Sequence, residues 1–181
     1  MGEKLVRRGL VHSCVGNLSV REGEGCIITA TGAMLDELSD DALVTVSFAD
    51  CPLTATASSD APLHLAIYRE TEAGAIVHTH SPYAVAESLI SAQPLLISSD
   101  IECAGVLGGI PVVDASDDRA ETISRCLNAL HGHPALVIRG HGVVAIGRSI
   151  DEAFSMASFA EHACRVRYLT RFEVRGNSPR Q

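Results

Sequence analysis

The residues best suited to chemistry in this chain are three histidines and an aspartate. His78 and His80 flank Thr79 at the end of the apolar run Ala75-Ile76-Val77. Side chains two apart on a strand point to one face, so both imidazoles can meet a single ion. His141 stands between Gly140 and Gly142, directly after a second apolar run. Flanking glycines permit close backbone approach and unusual dihedrals, as a ligand at a sheet end requires. Three neutral imidazoles suit Zn2+ or another divalent metal and leave one coordination position open for substrate. Asp60, one helix and one turn before His78, is the natural fourth group. Each residue also has a plainer role: a polar strand end for His78 and His80, a hairpin residue for His141, a helix N-cap for Asp60. For Asp60 the two roles are not exclusive.

A second set of residues suits an anion. Gly16-Asn17-Leu18-Ser19, Thr29-Ala30-Thr31-Gly32 and Ser58-Ser59-Asp60 combine glycine, hydroxyl and amide groups in what read as loops beside regular structure. The last lies at a helix start, where unpaired backbone amides and the helix dipole favour negative charge. Such residues usually just make turns. Beside the histidines they point to a phosphorylated or carboxylated substrate next to a divalent metal.

The elements that must position these groups alternate along the chain. β-rich runs at 27–29 and 43–46 precede a helix over 60–70, with Asp60 as N-cap and Pro62 in its first turn. A buried strand over 75–80, a short helix over 82–90, a strand over 110–113 and a helix over 117–130 follow. Strands over 135–139 and 143–147 flank the Gly140-His141-Gly142 connection. A last helix spans about 149–171, with Ile150, Ala153, Phe154, Ala157, Ala160, Cys164 and Tyr168 on its buried side. No repeat, low-complexity tract or linker divides the chain, so residues 1–181 are expected to form a single domain. A sheet covered by helices on both faces is the economical architecture.

The 181 residues are 46% hydrophobic and 20% charged, which suits a closed core. The net charge of −8 and the absence of tryptophan disfavour nucleic acid, which needs positive charge or stacking platforms. No apolar run reaches the roughly 20 residues of a membrane span, and the first residues do not read as a signal peptide, so a cytoplasmic protein is expected. The six cysteines are dispersed and read as reduced thiols, mostly core residues.

These residues, in this order, resemble the class II aldolase/adducin family. The resemblance runs through Gly16-Asn17-Leu18-Ser19-Val20-Arg21, Ile28-Thr29-Ala30-Thr31-Gly32, Ala57-Ser58-Ser59-Asp60-Ala61-Pro62-Leu63-His64 and Ile76-Val77-His78-Thr79-His80-Ser81. It continues through Gly108-Gly109-Ile110-Pro111-Val112-Val113 and Arg139-Gly140-His141-Gly142 to the closing helix. It implies a three-layer α/β/α sandwich around a mainly antiparallel sheet, and a homotetramer with active sites between subunits. It implies zinc ligation by His78, His80 and His141, with Asp60 as an acid/base that also ligates the resting metal. Gly16, Asn17, Thr31, Gly32, Ser58 and Ser59 match the phosphate site.

The implied activity is reversible cleavage of a small ketose phosphate to dihydroxyacetone phosphate and an aldehyde, as in fuculose-phosphate aldolases. Those enzymes carry Glu at the Asp60 position, whereas the related ribulose-phosphate 4-epimerases carry Asp. Glu102 lies near where aldolases place a Tyr and methylthioribulose-phosphate dehydratases a Glu, and it is expected as a second proton donor against the plainer role of a solvated carboxylate. No Tyr follows Tyr168, although these aldolases often lend a late Tyr to a neighbouring site. Epimerase, dehydratase and decarboxylase chemistry, and a non-catalytic adducin-like module, are the rival expectations.

Overall fold

The computed structural model describes residues 1–49 and 56–176, with side chains in the last helix described to Arg171. Cys51 and the end of the polar tail, 177–181, lie outside the described residues. Eight strands form one sheet: β1 (Asn17–Glu22), β2 (Gly25–Thr29), β3 (Leu43–Ser47), β4 (Ala75–Thr79), β5 (Leu95–Leu96), β6 (Ile110–Val113), β7 (Ala135–Ile138) and β8 (Gly142–Gly147). Their spatial order is β3-β2-β1-β4-β8-β7-β6-β5. Among the described residues, only the β6–β7 pair is parallel. The helices are α1 (Gly2–Arg7), α2 (Ala61–Glu70), α3 (Pro82–Ile90), α4 (Ile101–Leu107), α5 (Arg119–Leu130) and α6 (Ile150–Gly176).

Strand alternation explains the three layers. On β4, Ala75 and Val77 pack into one core with Leu5 of α1, Cys103 of α4 and Ala157 of α6. Ile76, between them, packs into the other core with Leu65 and Tyr68 of α2 and Cys126 of α5. β7 and β8 divide the same way: Val137 and Val143 belong to the first core, Leu136 and Val144 to the second. Strands buried on both faces carry continuous apolar runs, which is why these were recognisable. On α6, Ala153, Phe154, Ala157, Ala160 and Cys164 are buried as the helical spacing predicts.

The segment from Asn17 is not a loop, as its polar residues suggested, but the sheet strand β1. Leu18 enters the α6-side core. Ser19 and Arg21 serve α2 instead of water. Ser19 Oγ lies 2.7 Å from both His64 Nδ1 and the Tyr68 hydroxyl. The Arg21 guanidinium donates to the carbonyls of Thr71 and Ala73, each at 2.8 Å, and also to Tyr68 O. A cation on the last carbonyls of a helix satisfies groups left without intrahelical partners. The polar alternation is a buried pattern.

Two further differences concern helices. The stretch around Glu102 forms α4, and its N-cap Asp100 accepts the Cys103 amide at 2.8 Å. The last helix continues to Gly176, past the expected stop near Arg171. Among the described residues, no helix is long and apolar enough to cross a membrane. Cys26, Cys103, Cys126 and Cys164 are buried free thiols, while Cys14 is exposed.

Candidate functional site

β4 lies between β1 and β8, and both pairings shape the site. Asn17 pairs with His78 on one side and Val144 pairs with it on the other. His78 shares the parity of Ile76, so its ring faces the α2 side. Its Nδ1 lies 2.9 Å from Val143 O, which makes Nδ1 the protonated nitrogen and turns the Nε2 lone pair towards His141. His80 follows just past the strand end. There, Tyr83 and Ala84 amides at the start of α3 donate to the Glu161 carboxylate of α6, at 3.1 and 2.9 Å. That contact fixes the chain immediately beyond His80.

His141 occupies the turn between β7 and β8, closed by its own amide donating to Ile138 O at 2.9 Å. The Gly140 amide donates to Ser88 Oγ at 3.0 Å, and Arg139 Nη1 donates to Ser91 O at 2.9 Å, so the end of α3 holds this turn. Gly142 has no alternative: a Cβ there would sit 2.0 Å from the Thr79 carbonyl oxygen. At Gly16, where φ is +92°, a Cβ would lie 2.6 Å from His78 O.

The three rings converge. His78 Nε2 and His141 Nε2 are 3.0 Å apart, and ring centroids lie 4.6 to 4.9 Å from one another. One ligand nitrogen from each lies within 4.8 Å of the others. His78 Nε2, unprotonated, and His141 Nε2 can both present lone pairs to one shared cation. Burial pushes the His78 pKa down to about 3, against the pull of Asp60. Burial and then the neighbouring His141 lower that of His80. Both rings are therefore neutral, the form in which imidazole binds a metal. The donor set fits a divalent ion.

Asp60 precedes α2, but its side chain makes no capping hydrogen bond. Its Oδ2 instead accepts from Asn17 Nδ2 at 2.8 Å and lies 3.7 Å from His78 Nε2. Its Oδ1 lies 3.7 Å from Arg119 Nη2. Burial alone would raise its pKa, but His78 and the Asn17 bond outweigh it and hold the carboxyl below its ordinary value. Ser58 takes over the turn, its Oγ accepting the Asp60 amide at 3.2 Å. Of the cap and site positions open to Asp60, the carboxylate takes the second.

A cleft of about 230 Å3 opens over these groups. Gly16, Asn17, Thr31, Gly32, Ser58 and Ser59 line it together with Asp60, His80 and His141. Cys14 also lies in its wall. Glu102 is not among the lining residues; it is exposed in the first turn of α4. Arg119 had no local signature in the sequence, because only the packing of α5 against α2 brings it to Asp60.

His64 lies beneath the site, fully buried, and burial lowers its pKa to about 4 despite the nearby Asp60. The unfolded value is about 6.5. The unfolded chain therefore binds the proton more tightly, and stability is lost as pH falls from about 6.5 towards 4. For the metal-free protein, unfolding free energies from urea titrations across that window should fall by an amount on the order of 3 kcal/mol through His64. His64→Gln should make that fall shallower by the share His64 carries, leaving the part due to His78 and His80.

Residues 1–168 match the Class II Aldolase and Adducin N-terminal domain. The chain is 30% identical over 170 residues to an L-fuculose phosphate aldolase of Methanococcus maripaludis, covering 91% of each chain. It is 31% identical over 167 residues to a methylthioribulose-1-phosphate dehydratase of Pseudoalteromonas translucida, covering 83% of this chain and 79% of that one. The crystal structure of L-fuculose-1-phosphate aldolase from Thermus thermophilus superposes with a TM-score of 0.89 at 30% identity, covering 99% of this chain and 94% of that one. Sequence and fold agree over almost the whole length, and on that ground the chain belongs to the class II aldolase/adducin superfamily.

Proposed function

We propose that the protein is a zinc-dependent lyase that reversibly cleaves a small ketose phosphate to dihydroxyacetone phosphate and an aldehyde. The observation that carries this reading is the convergence of His78, His80 and His141 beside Asp60 in a cleft lined with hydroxyls and amides. A divalent ion bound by those nitrogens and Asp60 would supply a Lewis acid for the charge that develops as the carbon–carbon bond breaks. Asn17, Thr31, Ser58, Ser59 and the amides of Gly16 and Gly32 would hold the phosphate. That interaction is remote from the reacting carbons and sets the register of the substrate. Asp60, ionised and oriented by Asn17 and Arg119, would take the proton of the distal hydroxyl.

Glu102 would return a proton from a neighbouring subunit, since it lies outside the cleft of its own chain. Exposed apolar residues of α3, α4 and the segment joining them, among them Leu89, Ile90, Ile97, Ile101 and Val106, support association of copies into a homotetramer. Buried free thiols favour the reducing cytoplasm.

Product analysis with a panel of phosphorylated ketoses tests the reading. Dihydroxyacetone phosphate and an aldehyde are expected from fuculose 1-phosphate. Loss of water without cleavage would instead establish dehydratase chemistry, which the dehydratase relative makes the second reading. A C4 epimer or released carbon dioxide would point to the epimerase or decarboxylase alternatives. Metal that is sub-stoichiometric and readily lost would favour a non-catalytic module. Ser59→Ala should raise KM about 10- to 100-fold with little change in kcat, because a hydrogen bond to a charged group contributes about 1.5–3 kcal/mol.

A further inference from the structure

Away from the cleft, α4 and α6 bring together a second set of ligating groups. A carboxylate oxygen of Asp100, the sulfur of Cys103 and a ring nitrogen of His162 all lie within 4.8 Å of one another. Asp100 and Cys103 are neighbours because one caps the first turn that holds the other, and the amide contact of 2.8 Å fixes the carboxylate beside the thiol. His162 owes nothing to that local geometry. It comes from α6, the helix that packs across α4. Cys103 is buried, Asp100 half-buried and His162 exposed, so the cluster is closed towards the core and open to solvent on one side. Three donors with an entry path are what a bound ion needs.

We propose that Asp100, Cys103 and His162 form a second metal site, for a zinc-class divalent ion, that clips the start of α4 to α6. Oxygen, sulfur and nitrogen donors together select this class, since thiolate is a poor ligand for magnesium or calcium. Ligands about 2.0–2.3 Å from a tetrahedral ion are separated by roughly 3.3–3.8 Å, so closure by about 1 Å suffices. The fourth position is left to water. Binding replaces the thiol proton with the metal, and that proton leaves to solvent. At seven residues, α4 is too short to be stable alone, and an ion tied to α6 would hold its first turn.

The site differs from the histidine cluster in containing sulfur, and cobalt reads that difference directly. In a Cys14→Ser background, which removes the thiol in the cleft wall, the protein titrated with Co2+ should take up one equivalent beyond the histidine site. That equivalent should bring a sulfur-to-cobalt charge-transfer band in the near ultraviolet. Cys103→Ser should lose the band and the extra equivalent. His162→Ala, an exposed change that leaves folding intact, should weaken that equivalent at least as much as the roughly 10–100-fold caused by losing an outer-shell partner. It should also remove any Zn2+-dependent rise in Tm assigned to the clip, with turnover unchanged. His80→Ala should keep the band. Uptake of a single equivalent, absence of the band, or a band unaltered by His162→Ala overturns the proposal.

Discussion

Replacement of His80 by alanine is expected to strip the protein of its metal and to lower turnover by about 10³-fold or more. Lewis-acid stabilisation by a bound ion is worth several kcal/mol, and each ~1.4 kcal/mol is a factor of ten in rate. His80 is the informative choice among the three. His78 is fully buried and hydrogen-bonded to Val143 O, so its loss would also damage the core. His80 is half-buried, just beyond the strand, and its removal leaves the β4 pairings intact. Metal content by elemental analysis, read beside kcat and a far-ultraviolet spectrum, separates loss of the ion from loss of the fold. Unchanged turnover after His80→Ala would remove the metal from the reaction.

Asp60→Asn should have a different signature. Asparagine keeps the size of the side chain but cannot take up a proton, so kcat should fall by about 10²- to 10⁴-fold. The three imidazoles remain, and the protein should still bind metal. Folding should be little affected, because the Asp60 side chain does not cap α2. KM should change less than kcat, since Ser59 and the other anion-binding groups are untouched. A variant with normal kcat would assign the proton to another residue, with Glu102 the first to test. Loss of metal would show instead that the carboxylate is needed as a ligand.

The legibility of the fold followed burial. β4, β7 and β8 are covered on both faces, and they carry the apolar runs Ala75-Ile76-Val77, Ala135-Leu136-Val137-Ile138 and Val143-Val144-Ala145-Ile146. β1 is buried only over Asn17–Ser19, and Asn17, Ser19 and Arg21 meet polar partners in and beside α2, so its composition imitates a loop. α4 was missed because its few residues, Gly105 among them, are too short a window for a helical period to emerge. The histidine pair was readable because a spacing of two on a strand has one geometric meaning. Asp60 was ambiguous for a physical reason: an aspartate before a helix caps by default, and this one instead meets Asn17, His78 and Arg119, all distant in sequence.

Side-chain types and short-range spacing were therefore enough for the donor inventory and the apolar faces that demand two helical layers, while the neutrality of His78 and His80 follows from their burial in the fold. The placement of His141 against His78, 63 residues away, was a matter for the antiparallel pairing of β4 with β8. That register is dictated by the whole sheet, because a slip of one residue would turn every buried side chain of β4 to the opposite layer. The approach of Arg119 to Asp60 likewise depended on α5 packing against α2. Contacts of that kind are set by the joint burial of distant segments, which no local stretch of chain encodes.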